Sequence, residues 1–178
     1  MLAKKTISHE APNSSDSEIL EALKHVSLLT EIHHNDLAIQ ALARLVDFVH
    51  FKANVDIIVE GTEGSEMFIL MKGSASVFKA TLGGEPYKVA ILSGDKFIAF
   101  GEGGLIGADK RGATIRTIEN CDCLKIKRED FEKFASESPA WALPIYRRVA
   151  QSVMIRLRQS NEDMLLLYNA LVAEIRGS

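Results

Sequence analysis

Hydrophobic positions change their period twice along the chain. The first stretch is helical: Ser15 and Glu18 form a capping box that opens a helix through Ile19, Leu20 and Leu23. A second helix begins at Asn35 or Asp36 and carries Leu37, Ile39, Leu42 and Leu45. Residues 1–14 are polar, include Pro12 and show no period, which predicts a frayed tail. From about Val46 the period falls towards two. The runs VDFVHF, VDIIVE, MFILMKG, SASVFKA, PYKVAIL, KFIAF, ATIRTI and CDCLKIK are short and rich in β-branched and aromatic residues. Between them lie turn chemistries such as EGTEGSE, TLGGE and SGD. About eight strands at that spacing predict an antiparallel sandwich or jelly-roll barrel.

Near the C-terminus the helical period returns. A short helix, REDFEKFA, precedes Ser138-Pro139, and Pro144 suits the first turn of a new helix. From there to Ile175 no proline or glycine intervenes, giving a helix of about 32 residues, roughly 48 Å. Ile145, Val149, Val153, Leu157, Met164, Tyr168, Leu171 and Ile175 recur at spacings of three, four and seven. That stripe suits pairing with a second copy of the helix, and its competing reading is packing on the chain's own barrel. A helix so long outreaches a barrel of about 100 residues. The expected class is therefore mainly β with flanking helices: residues 15–137 form a β-roll or jelly-roll barrel with N-terminal helices, and residues 138–178 a long C-terminal helix that dimerises.

Composition narrows the function classes. Net charge is −3 and the pI about 6.0, which does not describe a protein that coats nucleic acid. Two cysteines, Cys121 and Cys123, make no disulfide framework, so a reducing, cytoplasmic setting is expected. They share one face of a strand and read as packing thiols. His33-His34 reads as a surface turn rather than a metal pair. No apolar run nears the roughly 18 residues of a membrane span, and no signal-peptide core opens the chain. Neither a membrane nor a cofactor is expected.

Eleven of the 12 glycines lie between Gly61 and Gly112. The first six punctuate hairpins. The last five fall in FGEGGLIGADKRGAT, residues 100–114, beside Glu102 and Arg111. Gly101 permits a tight turn, and GEGGLIG can form one helical turn with backbone N–H groups bare at its start. Gly103 and Gly104 allow close backbone approach. Arg111 can bring a bidentate fork to a phosphate, and Glu102 can accept a sugar hydroxyl. Together they describe a ribose-phosphate pocket. Catalysis is not expected. Cupin enzymes share the barrel but need two or three inward histidines, whereas this region holds only His50, and no Ser-His-acid or Cys-His spacing occurs.

The stretch resembles the phosphate-binding cassette of the cyclic nucleotide-binding domain family, which includes the catabolite activator protein and the regulatory subunits of cyclic AMP-dependent kinase. Phe100, Gly101, Glu102, Leu105, Ile106, Arg111, Gly112 and Ala113 match it in order and spacing, and IIVEGTEGSEMFILMKGSASVF looks like its upstream hairpin. The resemblance spans roughly residues 28–162. It implies that Arg111 pairs with a cyclic phosphate, that Glu102 accepts the ribose 2′-hydroxyl, and that N–H groups of Gly104 and Gly112 or Ala113 complete the cradle. Relatives carry Ser, Thr or Ala where Gly112 stands. A hydroxyl there favours cyclic GMP in the family, so its absence leans towards cyclic AMP. Ser160 and Asn161 fall at the purine-contacting places of the family's long helix, and they also occupy the polar slot of the apolar stripe, where such residues often only set register.

SGDKFIAFGE is about three residues longer than the family's usual link, so either the loop bulges or Phe97 and Phe100 compete for one core position. The helix before the long one looks about four residues longer. With the chain ending at Ser178, no helix-turn-helix follows, and DNA is not an expected partner. The expectation is thus a cyclic nucleotide sensor, regulatory rather than enzymatic, signalling to a separate protein. The alternative is a degenerate barrel that only dimerises or docks.

Overall fold

The computed structural model describes residues 16–177 except Leu82, Ala108 and Asp109. The Ser15 capping box and the tail lie outside the described residues. Helix α1 (Asp16–His25) leads through a 3-10 turn (Ser27–Leu29) to α2 (Asp36–Ala43). Asn35 caps α2, its side chain accepting from the Ala38 N–H at 3.1 Å.

All eight expected strands form. They are β1 (Val46–Phe51), β2 (Asp56–Ile58), β3 (Glu66–Lys72), β4 (Ser74–Ala80), β5 (Pro86–Ser93), β6 (Ala99–Phe100), β7 (Thr114–Thr117) and β8 (Cys121–Lys127). They pair antiparallel into two four-stranded sheets, ordered β1-β8-β3-β6 and β2-β7-β4-β5, a mainly β roll. The β3–β4 turn pivots on Gly73, whose φ is +85°, and a Cβ there would lie 2.4 Å from the Asn120 carbonyl.

Strand β3 reads as an unbroken apolar run because both its faces are buried. Met67, Ile69 and Met71 join Leu124 and Ile126 of β8 against the helices. Phe68 and Leu70 point into the roll with Cys121, Cys123, Ile58 and Phe100. Both thiols are packing groups there, and burial raises their pKa values.

The residues before Phe100 do not crowd one position. A 3-10 turn (Gly94–Lys96) ends at Phe97, which takes a left-handed φ of +45° and packs on the helical cluster, its ring 5.6 Å from that of His25. Phe100 turns the other way and stacks on Phe68 inside the roll at 5.6 Å. The two rings occupy different cores.

Helix α3 (Gly103–Ile106) is the single turn expected in the cassette, and α4 (Arg128–Glu137) follows β8. The long helix α5 runs Pro139–Gly177, 39 residues. Its start corrects the expectation: Pro139 occupies the first turn, where a missing N–H costs nothing, and Pro144 lies inside the helix. Ala142, Ile145 and Val149 bury against α4 and the N-terminal helices. Beyond them, from Val153 to Ile175, every residue except the half-buried Val172 is exposed.

Candidate functional site

The site begins where β6 ends. Phe100 anchors the chain in the roll, and Gly101 reverses it with a φ of +73°. Leu105, 1% exposed, pins α3 to the helical core from the opposite side. Arg111 then enters a slot walled by three glycines. A Cβ at Gly64 would lie 2.2 Å from its Nε, and one at Gly101 or Gly104 would lie 2.8 Å from its Nη1. The missing side chains hold the space of the guanidinium itself, a more local role than room for a ligand.

Arg111 is 8% exposed. Its Nη1 donates to the Gly101 carbonyl at 3.0 Å and its Nη2 to Glu66 Oε2 at 3.1 Å. The main chain fixes its base: Arg111 N–H donates to Thr62 O, and Gly61 N–H donates to Arg111 O, both at 2.8 Å. Burial pulls the guanidinium pKa down and Glu66 opposes that shift.

Glu102 is 5% exposed, and its carboxylate forms an ion pair with Arg156 of α5. Arg156 Nη2 also donates to Ser152 Oγ at 2.9 Å. From α4, Arg128 donates to the Gly104 carbonyl at 2.7 Å and the Gly107 carbonyl at 2.6 Å, clamping the C-terminal end of α3. The Gly104 N–H, expected in a phosphate cradle, donates to Gly101 O at 2.9 Å. Lys79 Nζ donates to the Gly112 carbonyl at the rim.

Arg111, Glu102, Arg156 and Lys79 line a cleft of about 620 Å³, within the size range of small-molecule sites, while Glu66 and Arg128 brace it from outside. Phe100, Gly101, Glu102, Gly103, Gly104, Arg111, Gly112 and Ala113 all border it, with apolar walls from Val77, Val89 and Leu92. Leu105 faces the core instead. Ser160 and Asn161 do not border the cleft: both are exposed, and α5 presents Val153 and Arg156 there, one turn earlier. Gly64, Glu66, Arg128 and Arg156 went unnoticed in the sequence. Only Gly64 left a trace there, as one of the upstream glycines.

A second cavity, about 520 Å³, opens between β1 and β2 and shares Ile58 and Arg111 with the first. His50 borders it, bonded through Nδ1 to Asp122 Oδ1 at 2.7 Å. No group of three or more potential metal ligands occurs among the described residues. No described helix is long and apolar enough to cross a membrane.

The roll, the buried arginine and carboxylate, and the cleft between them define a small-molecule-binding β-roll. Residues 48–138 match the cyclic nucleotide-binding domain, and the chain belongs to that family. It is 33% identical over 131 residues to cGMP-dependent protein kinase 2 of Mus musculus, covering 72% of this chain and 17% of the kinase. Against cGMP-dependent protein kinase, isozyme 1, of Drosophila melanogaster it is 27% identical over 116 residues, 65% of this chain and 15% of the kinase. The chain therefore spans under a fifth of these curated relatives.

Among solved structures, the cyclic nucleotide-binding domain from Methylobacillus flagellatus aligns with a TM-score of 0.69 at 18% identity, covering 84% of this chain and 82% of that one. The Thermus thermophilus catabolite activator protein gives 0.65 at 23% identity, with 79% and 63% covered. The cAMP-bound regulatory domain of Toxoplasma gondii PKA gives 0.61 at 21% identity, with 71% and 46% covered.

Proposed function

We propose that this chain is a cyclic nucleotide sensor whose long helix carries the signal to a separate protein. One observation carries the reading: a buried arginine and a buried carboxylate face one cleft, each held by a partner that a ligand can replace. A cyclic phosphate takes the place of Glu66 on the Arg111 fork, and a ribose 2′-hydroxyl donates to Glu102. The apolar walls receive the base. Gly112 offers no hydroxyl to a guanine, which favours cyclic AMP; the similarity to cGMP-dependent kinases favours the other nucleotide.

Coupling follows from Arg156. A ligand that claims Glu102 competes with the α5 arginine, so cleft occupancy biases where α5 sits. The chain then acts by position rather than catalysis, with α5 pairing with a second copy and handing the change to a downstream protein in the cytoplasm.

Calorimetry with cyclic AMP and cyclic GMP, on the wild type and on Arg111→Ala, tests this. Binding of cyclic AMP, tenfold or more weaker in the variant, is expected, because each charge-assisted bond contributes about 1.5–3 kcal/mol. Absence of heat with either nucleotide up to millimolar concentration overturns the reading. Tighter binding of cyclic GMP reverses the choice of base alone.

A further inference from the structure

The roll is open along one seam. Strands β1 and β2 follow one another in the chain but end different sheets, and among the described residues no backbone hydrogen bond joins them. The wedge between them is the cavity of about 520 Å³. Thr117, 1% exposed, fixes its narrow end: Oγ1 donates to the Lys52 carbonyl at 2.7 Å and accepts the Val55 N–H at 2.8 Å. A buried hydroxyl thus sets the loop that joins the two strands, and the wedge is part of the folded roll.

Its walls are apolar, with Val49 and Phe51 from β1, Val55, Ile57 and Val59 in and beside β2, and Phe68 from β3. The Phe51 ring meets that of Phe68 edge-on, 6.1 Å between centroids. Charges on the lining cancel: Lys52, Arg111 and Lys125 stand against Asp56, Glu63 and Glu66. Most are already paired, Glu66 with Arg111 at 3.1 Å, Asp56 with Arg116 at 2.7 Å and Lys125 with Asp47 at 3.2 Å. An ion entering the wedge would lose its hydration and find no net charge to replace it. The neutral polar groups there are backbone N–H and C=O on the facing edges of β1 and β2, which have no strand neighbour on that side.

We propose that the seam is a second ligand site, for a neutral aromatic molecule carrying one N–H or O–H group, and that its occupancy opposes the nucleotide. The ring lies between the apolar walls beside Phe51 and Phe68, and its polar group bonds a strand edge. The opposition rests on the reading of the cleft given above, in which a phosphate displaces Glu66 from Arg111. Glu66 borders the seam and not the cleft, so the displaced carboxylate has its room in the seam. A molecule lodged there keeps Glu66 on Arg111. Linkage then requires each ligand to weaken the other by the same factor.

Indole is the probe, with indole-3-carboxylate and tryptamine as its ring-matched anion and cation. Methyl-resolved NMR spectra of the full chain without nucleotide should shift at Val49, Val55, Ile57 and Val59 as indole is added, and not at Val153 in the cleft. Each charged analogue should bind about tenfold more weakly or worse, the cost of one uncompensated ion. Val49→Trp fills the wedge and should abolish the shifts. Should that variant fail to fold, Val59→Glu, at a rim position 37% exposed, should weaken them about tenfold. No shift up to millimolar indole, shifts at Val153, or equal binding of a charged analogue overturns the site.

Calorimetry with cyclic AMP, with and without saturating indole, tests the opposition. A loss of about fivefold or more in nucleotide affinity is expected. Unchanged affinity overturns the opposition and leaves the site. If cyclic AMP gives no heat on the protein alone, the nucleotide reading and the opposition fall together, while the seam still stands or falls on its methyl shifts.

Discussion

The cleft and the outer half of α5 invert the ordinary rule of burial in opposite ways. In the cleft, Arg111 and Glu102 lie under the surface, each held by an opposite charge. On α5, large apolar side chains stand in water. A buried charge is tolerated because it is paired and hydrogen-bonded, and it is then already aimed when a ligand arrives. An exposed apolar stripe has no such internal compensation, so its stabilisation must come from outside the chain. Arg156 joins the two regions, since it sits on α5 and closes on Glu102.

The sharpest way to separate them is to charge the stripe. Leu157→Asp with Met164→Asp should convert a dimer into a monomer, weakening self-association by a hundredfold or more, as sedimentation would show. Both residues are exposed in the single chain, so its melting temperature should change little at low concentration. Loss of the folded roll would show that the stripe supports the barrel directly and break the contrast.

A smaller effect probes the arginine slot. Gly64 has an ordinary φ, so Gly64→Ala strains no backbone, yet its Cβ would overlap the Arg111 guanidinium. Nucleotide affinity should fall about tenfold, the cost of roughly one misplaced charged hydrogen bond, with the dimer unaffected. Calorimetry and sedimentation on one preparation check both halves of that statement.

Smallest is the clamp on α3. Arg128→Ala removes two bonds to the carbonyls of Gly104 and Gly107 and should cost about 1–3 kcal/mol. At about 2–4 °C per kcal/mol for a chain of this size, a thermal melt resolves it. An unchanged melt would mean that Leu105 alone holds the turn.

Legibility followed the range of the interactions. The eight strands were readable because alternation and turn residues are local, and β3, apolar throughout, still stood out by its bounding glycines. Glu102 and Arg111 were readable because the cassette packs them within ten residues. Glu66, Gly64, Arg128 and Arg156 were not, because they reach the site from β3, the loop before it, α4 and α5. The start of α5 was misplaced because two prolines in six residues both suit a first turn, and the sequence offers no means of choosing between them. The family resemblance and the polar slot of the stripe both point to Ser160 and Asn161, but α5 borders the cleft at Val153 and Arg156, one turn earlier along the same face.

The amino-acid order by itself determined what local periodicity and short motifs can carry: the strands, the hairpin turns, the cassette with its acid and arginine, and a long helix with one apolar side. Tertiary structure decided what those groups touch. It closed three glycines around Arg111, matched its fork to Glu66, and set Arg156 rather than Ser160 against the pocket. The physical reason is that a charge's partner is chosen by distance in space, and the residues that meet Arg111 and Glu102 are brought close only when the sheets and α5 pack.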